Sequence, residues 1–65
     1  MSTWQSRLIE EKDALQVKLL ALAEYLHTEP DAETIGEVQL ALLKVQLSAM
    51  TTYRDVLTQR IQALR

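Results

Sequence analysis

Two long runs of the sequence repeat apolar residues at steps of three and four, the spacing that places side chains on one face of an α-helix. The second run is the more regular, and a single cation, Arg54, occupies its one gap. We call its apolar members the first stripe: Leu43, Leu47, Met50, Leu57, Ile61 and Leu64. A stripe of this kind predicts a long helix, over about residues 35–64, that packs lengthwise on another helix.

The earlier run predicts a helix over about residues 3–27. Ser2 is its expected N-cap, with Gln5 completing a capping box. Its stripe consists of Leu8, Lys12, Leu15, Leu19, Leu22 and Leu26. Lys12 is the one cation in this stripe, and we expect its stem to pack while its ammonium group reaches water.

Residues 28–34 form the predicted connection. Pro30 disfavours helical geometry at Glu29. Thr34 and Glu37 then match a capping box, with Gly36 in the first turn of the second helix. A short connection between two long helices predicts an antiparallel hairpin. We therefore predict an all-α fold, with residues 1–65 as a single helical hairpin domain.

The second helix carries more apolar surface than one partner helix can cover. We call this surplus the second stripe: Ile35, Val38, Leu42, Val45, Ala49 and Val56. An apolar face without a partner inside the hairpin predicts packing against further copies of the chain. A chain of 65 residues buries only a small core, so association is also the expected source of additional stability.

Composition excludes several classes of function. The chain has no cysteine and one histidine, which excludes disulfides and leaves no ligand set for a metal site. Seven basic and nine acidic residues give a net charge of −2 without a basic run, which argues against binding to duplex nucleic acid. No apolar run approaches the roughly 20 residues of a membrane span. We expect a soluble, cytoplasmic protein without cofactors, and no arrangement of residues indicates catalysis.

Aromatic and basic residues are the remaining candidates for ligand chemistry. In an antiparallel hairpin Trp4 comes close to Arg60, which combines a stacking surface for a base with a planar donor for phosphate. Arg54 is open to a simpler interpretation, an ion pair with Glu24 or another acid. Tyr53 is more simply explained by packing, with its hydroxyl hydrogen-bonded.

One segment and two shorter motifs resemble a known family of small phage proteins. The segment is Gln46-Leu47-x-Ala49-Met50-x-x-Tyr53-x-x-Val56-Leu57-x-x-Arg60-Ile61, which is similar to the pattern Q-L-x-x-M-x-x-Y-x-x-x-L-x-x-R-I. The shorter motifs are Trp4-x-x-Arg7-Leu8 and Leu15-x-x-Lys18-Leu19. The family is that of the anti-CBASS cyclic-oligonucleotide sponges, whose helical hairpin is shared with a Thoeris-counteracting sponge.

The resemblance implies capture of a ligand without cleavage. It implies a homo-oligomer, commonly a hexamer, that binds cyclic di- or trinucleotides of bacterial anti-phage defence in the host cytoplasm. It also implies that Trp4 stacks on a base, that Lys18 lies near phosphate, and that Arg60 contacts a ligand or a neighbouring subunit. Further candidates for ligand or interface contacts are Arg7, Lys12, Tyr53 and Arg54.

Two other interpretations remain open from the residues themselves. A structural or adaptor coiled coil that binds only protein would need the same stripes, but it would not need Trp4, Lys18 or Arg60. A small regulator that binds nucleic acid is disfavoured by the acidic net charge.

Overall fold

The computed structural model describes residues 3–64, which form a helical hairpin. Helix α1 is Trp4–His27, α2 is Ala32–Ile35 and α3 is Glu37–Gln62. The two long helices pack on each other in an elongated shape of 47 × 20 × 16 Å. The predicted all-α class, with helices packed against each other, is confirmed. None of the helices within residues 3–64 is long and apolar enough to cross a bilayer.

Local hydrogen bonds fix both ends of α1. Ser2 lies outside the described residues, and the observed N-cap is Thr3, whose Oγ1 accepts a hydrogen bond from the Ser6 amide at 3.1 Å. At the other end, the amide of Glu29 donates to the carbonyl of Leu26 at 3.1 Å. Glu29 has a φ of 55°, the left-handed conformation that commonly ends a helix. Pro30 follows and prevents the helix from resuming at once.

The connection differs from the prediction, because it contains the short helix α2 before α3 begins. Asp31 caps α2 by accepting a hydrogen bond from the Glu33 amide at 2.9 Å. The predicted capping box of Thr34 and Glu37 is wrong, since Gly36 is the N-cap of α3 and no side chain caps that helix. Gly36 has a φ of 90° and therefore lies between the helices, not in the first turn of α3. Only glycine adopts such a conformation without strain, which explains the break.

The stripe of α1 and the first stripe of α3 face each other and form the core. Leu8, Leu19 and Leu57 are buried, and Leu57 has no exposed surface at all. Most other stripe residues are half-buried, because two helices leave both sides of their interface open. Lys12 behaves as expected, with its side chain 34% exposed and its Nζ 3.9 Å from an oxygen of Asp13.

Five members of the second stripe lie on the outside of α3, whereas Ile35 belongs to the short helix α2 and is half-buried, contrary to the prediction. Val38 is 71% exposed, Val45 is 64% exposed and Leu42 is 55% exposed. The outer face of α1 also exposes apolar side chains, including Val17 and Leu20. The predicted surplus of apolar surface is therefore present on the isolated hairpin.

Replacing Leu57 by alanine should strongly destabilise the fold, because the cavity would open at the one fully buried side chain. We expect a loss of about 2–5 kcal/mol in the free energy of unfolding, measured by urea denaturation at fixed protein concentration. Leu20→Ala is the matched control on the exposed face of α1 and should change the free energy of unfolding by less than about 0.5 kcal/mol. Equal losses in both variants would contradict the assigned core.

The two residues with positive φ should respond in opposite directions. Glu29→Gly should stabilise the hairpin by about 1 kcal/mol, because glycine removes the steric cost of the left-handed conformation. Gly36→Ala should destabilise it by about 1–3 kcal/mol, although no atom lies within 4 Å of the added Cβ, because the cost is conformational. Urea denaturation measures both, and a stable Gly36→Ala protein would refute the assigned break.

Candidate ligand-binding site

Two side-chain hydrogen bonds between the helices define the two long edges of the hairpin. On one edge the Tyr53 hydroxyl donates to Glu11 Oε2 at 2.5 Å. On the other edge Arg54 Nη1 donates to Gln16 Oε1 at 3.3 Å. The residue numbers of Glu11 and Tyr53 sum to 64 and those of Gln16 and Arg54 sum to 70, so each position of α1 lies opposite the α3 positions that bring the sum to between 64 and 70.

The edge that contains Tyr53 also carries most of the predicted ligand residues. At about 100° per residue, Arg7, Glu11 and Lys18 lie along one side of α1, and Gln46, Tyr53 and Arg60 lie along the neighbouring side of α3. We call these six residues the polar edge. All six side chains are exposed. Its three cations, Arg7, Lys18 and Arg60, form no salt bridge with a carboxylate of residues 3–64. Lys12 and Arg54, which are not part of the polar edge, each form one.

Tyr53 is held in its neutral form by the residues around it. The hydrogen bond to Glu11, partial burial and the negative charge of Glu11 raise the pKa of Tyr53 above its ordinary value of 10.0. The positive charge of Arg60 acts in the opposite direction, which shows that Arg60 lies close enough to influence the phenol. At neutral pH Tyr53 therefore remains a hydrogen-bonded phenol and orients the carboxylate of Glu11.

Trp4 lies at the open end of the hairpin, the end opposite the connection. The register places it level with residues 60–62, and its side chain is 58% exposed. Arg7 follows one turn further along the same helix. The structure thus groups Trp4, Arg7 and Arg60 at one end, with Tyr53 adjacent. An exposed indole beside guanidinium groups is suited to stacking on a base and to binding phosphate.

Lys18 lies far from this group. Fourteen residues of continuous helix separate it from Trp4, or about 21 Å along the axis. It lies opposite residues 46–52 of α3, at the end of the polar edge nearer the connection. One small ligand cannot contact both Trp4 and Lys18 within a single hairpin.

Two of the other candidates lie away from the polar edge. Lys12 belongs to the packed stripe of α1. Arg54 lies beside the opposite edge, where its Nη2 is 3.0 Å from Asp55 Oδ1 and its side chain is 29% exposed. Its acidic partner is therefore Asp55 and not Glu24. These contacts with Asp55 and Gln16 account for a cation in the first stripe without any ligand.

Surface recesses do not coincide with the predicted ligand residues. One recess of about 220 Å³ lies beside the connection and is lined by Leu26, Glu29, Pro30, Leu40 and Lys44. A more open one lies on α1 between Leu20 and His27. Neither of these two recesses includes a polar-edge residue. Along the polar edge the described residues of one hairpin thus supply donors and an aromatic surface, whereas these two recesses lie elsewhere.

Sequence reasoning missed Glu11 and Gln16, the partners of Tyr53 and Arg54. The Glu11–Tyr53 pairing fits a register centred on the connection, whereas Gln16 and Arg54 sum to 70 and lie off that centre. Residue 32 is the midpoint of the segment between α1 and α3, and doubling it gives the sum of 64 that Glu11 and Tyr53 satisfy. Within residues 3–64 no group of three histidine or acidic side chains is arranged to hold a metal ion.

Comparison with known families agrees with a capture role at a coarse level. A family model described as Sequestin matches residues 2–63, so the chain belongs to the Sequestin family. The name of the family indicates a sequestering function, which fits the resemblance to sponge proteins described above. No curated protein and no solved structure matches the chain.

The Tyr53–Glu11 contact predicts a specific alkaline titration. In a Tyr25→Phe background, phenolate absorbance should show a midpoint above 10.0 for Tyr53. Glu11→Ala should lower that midpoint towards the ordinary value, because both the hydrogen bond and the neighbouring negative charge are lost. Glu10→Ala removes a neighbouring carboxylate that does not bond Tyr53, and should leave the midpoint unchanged.

The same pKa shift has a consequence for stability. Because the pKa of Tyr53 is higher in the folded than in the unfolded chain, its contribution is complete below pH 10.0 and disappears as pH rises through the folded pKa. The free energy of unfolding of the wild type should therefore fall more steeply above pH 10.0 than that of Tyr53→Phe. Parallel curves for the two proteins would contradict the contact.

Proposed function

We propose that this member of the Sequestin family is a phage immune-evasion protein that captures cyclic di- or trinucleotide signals of bacterial anti-phage defence. The ligand is bound stoichiometrically in the host cytoplasm and is released unchanged, so the protein is not an enzyme. The match to the Sequestin family over residues 2–63 carries this proposal, because it spans both long helices and names a sequestering function.

The polar edge supplies chemistry suited to such a ligand. A cyclic oligonucleotide presents bases that stack on aromatic rings and phosphates that accept hydrogen bonds from cations. Trp4 offers an exposed ring at the open end, and Arg60 lies level with it on α3. The net charge of −2 does not oppose this, because a small anion needs only a few donors whereas duplex binding needs a basic surface.

Capture in this proposal uses an assembly, because neither of the two recesses described above lies on the polar edge. The exposed second stripe supports a homo-oligomer, and the resemblance to sponge proteins implies a hexamer. In such an assembly Lys18 of one copy can meet Trp4 or Arg60 of another. This resolves the separation of about 21 Å between Lys18 and Trp4 in a single chain.

An oligomeric adaptor that binds only protein is the second candidate function. The observation that favours it is the exposure of the second stripe, which Val38 illustrates at 71%. This candidate predicts the same assembly but no response to nucleotides, and it assigns no role to Trp4, Lys18 or Arg60.

Thermal unfolding with a panel of cyclic di- and trinucleotides separates the two functions. At a ligand concentration a hundredfold above Kd, linkage predicts about 2.7 kcal/mol of stabilisation. Trp4→Ala, Lys18→Ala and Arg60→Ala should each reduce the shift in melting temperature. Lys44→Ala, which removes a cation outside the polar edge, should not.

Chromatography of the recovered ligand completes this experiment. Intact nucleotide recovered in amounts equal to the occupied sites supports capture, and a hydrolysed product would refute it. No shift with any cyclic nucleotide would refute the proposed ligand class. A shift in melting temperature that survives all three alanine replacements would refute the residues assigned to the site.

A further inference from the structure

We propose that Lys12 and Arg54 set the register of the hairpin, because together they form one charged layer in an interface that is otherwise apolar. This layer excludes a second pairing of the two long helices, displaced by one heptad. Lys12 and Arg54 are the cations of the two packed stripes, and neither belongs to the polar edge.

Contacts between the long helices fix the observed register. Their two side-chain hydrogen bonds join residues whose numbers sum to 64 and 70. Leu26 and Leu40, whose numbers sum to 66, line the same recess beside the connection. Residues of the two stripes whose numbers sum to 65 or 66 therefore lie at one level. The apolar layers of this register are Leu8–Leu57, Leu15–Met50, Leu19–Leu47, Leu22–Leu43 and Leu26–Leu40.

Lys12 and Arg54 share the remaining level, since their numbers sum to 66. Their side chains are 34% and 29% exposed, so both charged groups reach water at the border of the interface. Each has a carboxylate next to it in sequence, with Lys12 Nζ 3.9 Å from Asp13 Oδ1 and Arg54 Nη2 3.0 Å from Asp55 Oδ1. Gln16 Oε1 also accepts a hydrogen bond from Arg54 at 3.3 Å. These partners offset the repulsion between the two cations.

The apolar residues alone do not specify this register. Apart from Lys12, every member of the α1 stripe is leucine, and the first stripe of α3 contains leucine, isoleucine and methionine. If α1 faced α3 residues seven positions later, a displacement of about 10.5 Å, apolar residues would again face apolar residues. The displaced layers would be Leu8–Leu64, Leu15–Leu57, Leu22–Met50 and Leu26–Leu47. Interfaces of uniform leucine commonly fail to select one arrangement.

The connection is long enough to permit this displacement. Nine residues, 28–36, join α1 to α3. When extended they reach about 30 Å, which exceeds the displacement of about 10.5 Å once α2 unwinds. The opposite displacement is less favourable, because it would carry Leu22 and Leu26 to or beyond Glu37, where α3 begins.

The two cations make the displaced register unfavourable. Lys12 would face Ile61, and Arg54 would face Leu19, which is buried in the observed hairpin. Each cation would then lose water against an apolar side chain, and both hydrogen bonds between the helices would be broken. A polar residue in a helix interface selects a register in this way, at some cost in stability.

The register also aligns the residues of the proposed capture site, a consequence that rests on the proposed function. Trp4 and Arg7 on α1 lie near Arg60 on α3 only in the observed pairing. The displaced register would move Arg60 by about 10.5 Å along the hairpin. Lys12 and Arg54 are therefore positioning residues, which act on capture without touching the ligand.

Pairs of introduced thiols measure the register directly, because the chain has no cysteine. Ala23→Cys/Lys44→Cys reports the observed register, and Ala23→Cys/Thr51→Cys reports the displaced one. Lys44 and Thr51 lie one heptad apart on the same side of α3. With oxidised glutathione, the first pair should form its intramolecular disulfide at least about tenfold faster, because a displacement of about 10.5 Å exceeds the reach of a disulfide. Mass spectrometry of the monomer counts the intramolecular bonds.

Adding Lys12→Leu and Arg54→Leu to both reporters removes the charged layer. Six apolar layers are then available in either register, so the ratio of the two rates should fall below about threefold. The urea midpoint should rise, because leucine packs in place of two partly desolvated cations. Circular dichroism checks that the variant keeps its helices.

Two control variants separate the charged layer from charge in general. Lys12→Arg/Arg54→Lys keeps both cations in the interface and should keep the ratio of about tenfold. Lys18→Leu/Arg60→Leu removes the same charge from the polar edge and should also keep it. A ratio that falls equally in Lys18→Leu/Arg60→Leu would overturn the proposal, as would an undiminished ratio in Lys12→Leu/Arg54→Leu. A fall in both the ratio and the urea midpoint would indicate general loosening and would overturn it too.

Ligand addition then tests the link to capture. A cyclic dinucleotide that stabilises the wild type should raise the ratio in Lys12→Leu/Arg54→Leu, because the ligand binds only the aligned register. An unchanged ratio would overturn the positioning role while leaving capture in place. If the wild type binds no cyclic nucleotide although the crosslinks behave as expected, the proposed function fails and the role in register stands.

Discussion

Two helices share only one interface, and this constraint shapes the whole molecule. Each long helix has one face turned towards the other, so within residues 3–64 only Leu8, Leu19 and Leu57 become buried. Burial of so few side chains barely offsets the entropy lost on ordering some 60 residues. The residues of the second stripe on α3 cannot reach that interface, because they lie on another side of the helix. The hairpin therefore leaves these apolar side chains exposed as a direct result of its architecture.

The same constraint explains why the polar edge lies beside an interface and not inside a pocket. Residues that border the seam between two helices are close to the partner helix but open to water, as the exposed Tyr53 and Glu11 show. Cations in such positions remain accessible, whereas Arg54, beside the opposite edge, is bound by Asp55 and Gln16. In our proposal, further copies of the chain enclose the polar edge. Assembly and ligand binding are consequently linked in that proposal.

The sequence predicted the long helices well, because apolar periodicity records which face of a helix packs. Each observed bound lies within two residues of the expected one, with α1 at Trp4–His27 and α3 at Glu37–Gln62. The connection was predicted less well. Turn geometry there depends on single backbone angles. A glycine at position 36 is compatible with either a turn or a helix start, and only the structure gives its positive φ. For the site, residue types identified aromatic and basic candidates, but only the structure showed that Glu11 meets Tyr53 and that Gln16 meets Arg54.

The position of Lys18 is the strongest reason to look beyond one hairpin. A cation that served only solubility could occupy any exposed position of α1, such as the outer face that carries Asp13 and Glu24. Lys18 instead lies on the polar edge, at its end nearer the connection and about 21 Å from Trp4. Under the proposed function, a further copy of the chain brings Lys18 within reach of a ligand that stacks on Trp4. A ligand that binds only to such an assembly also stabilises it, so capture and association should strengthen each other.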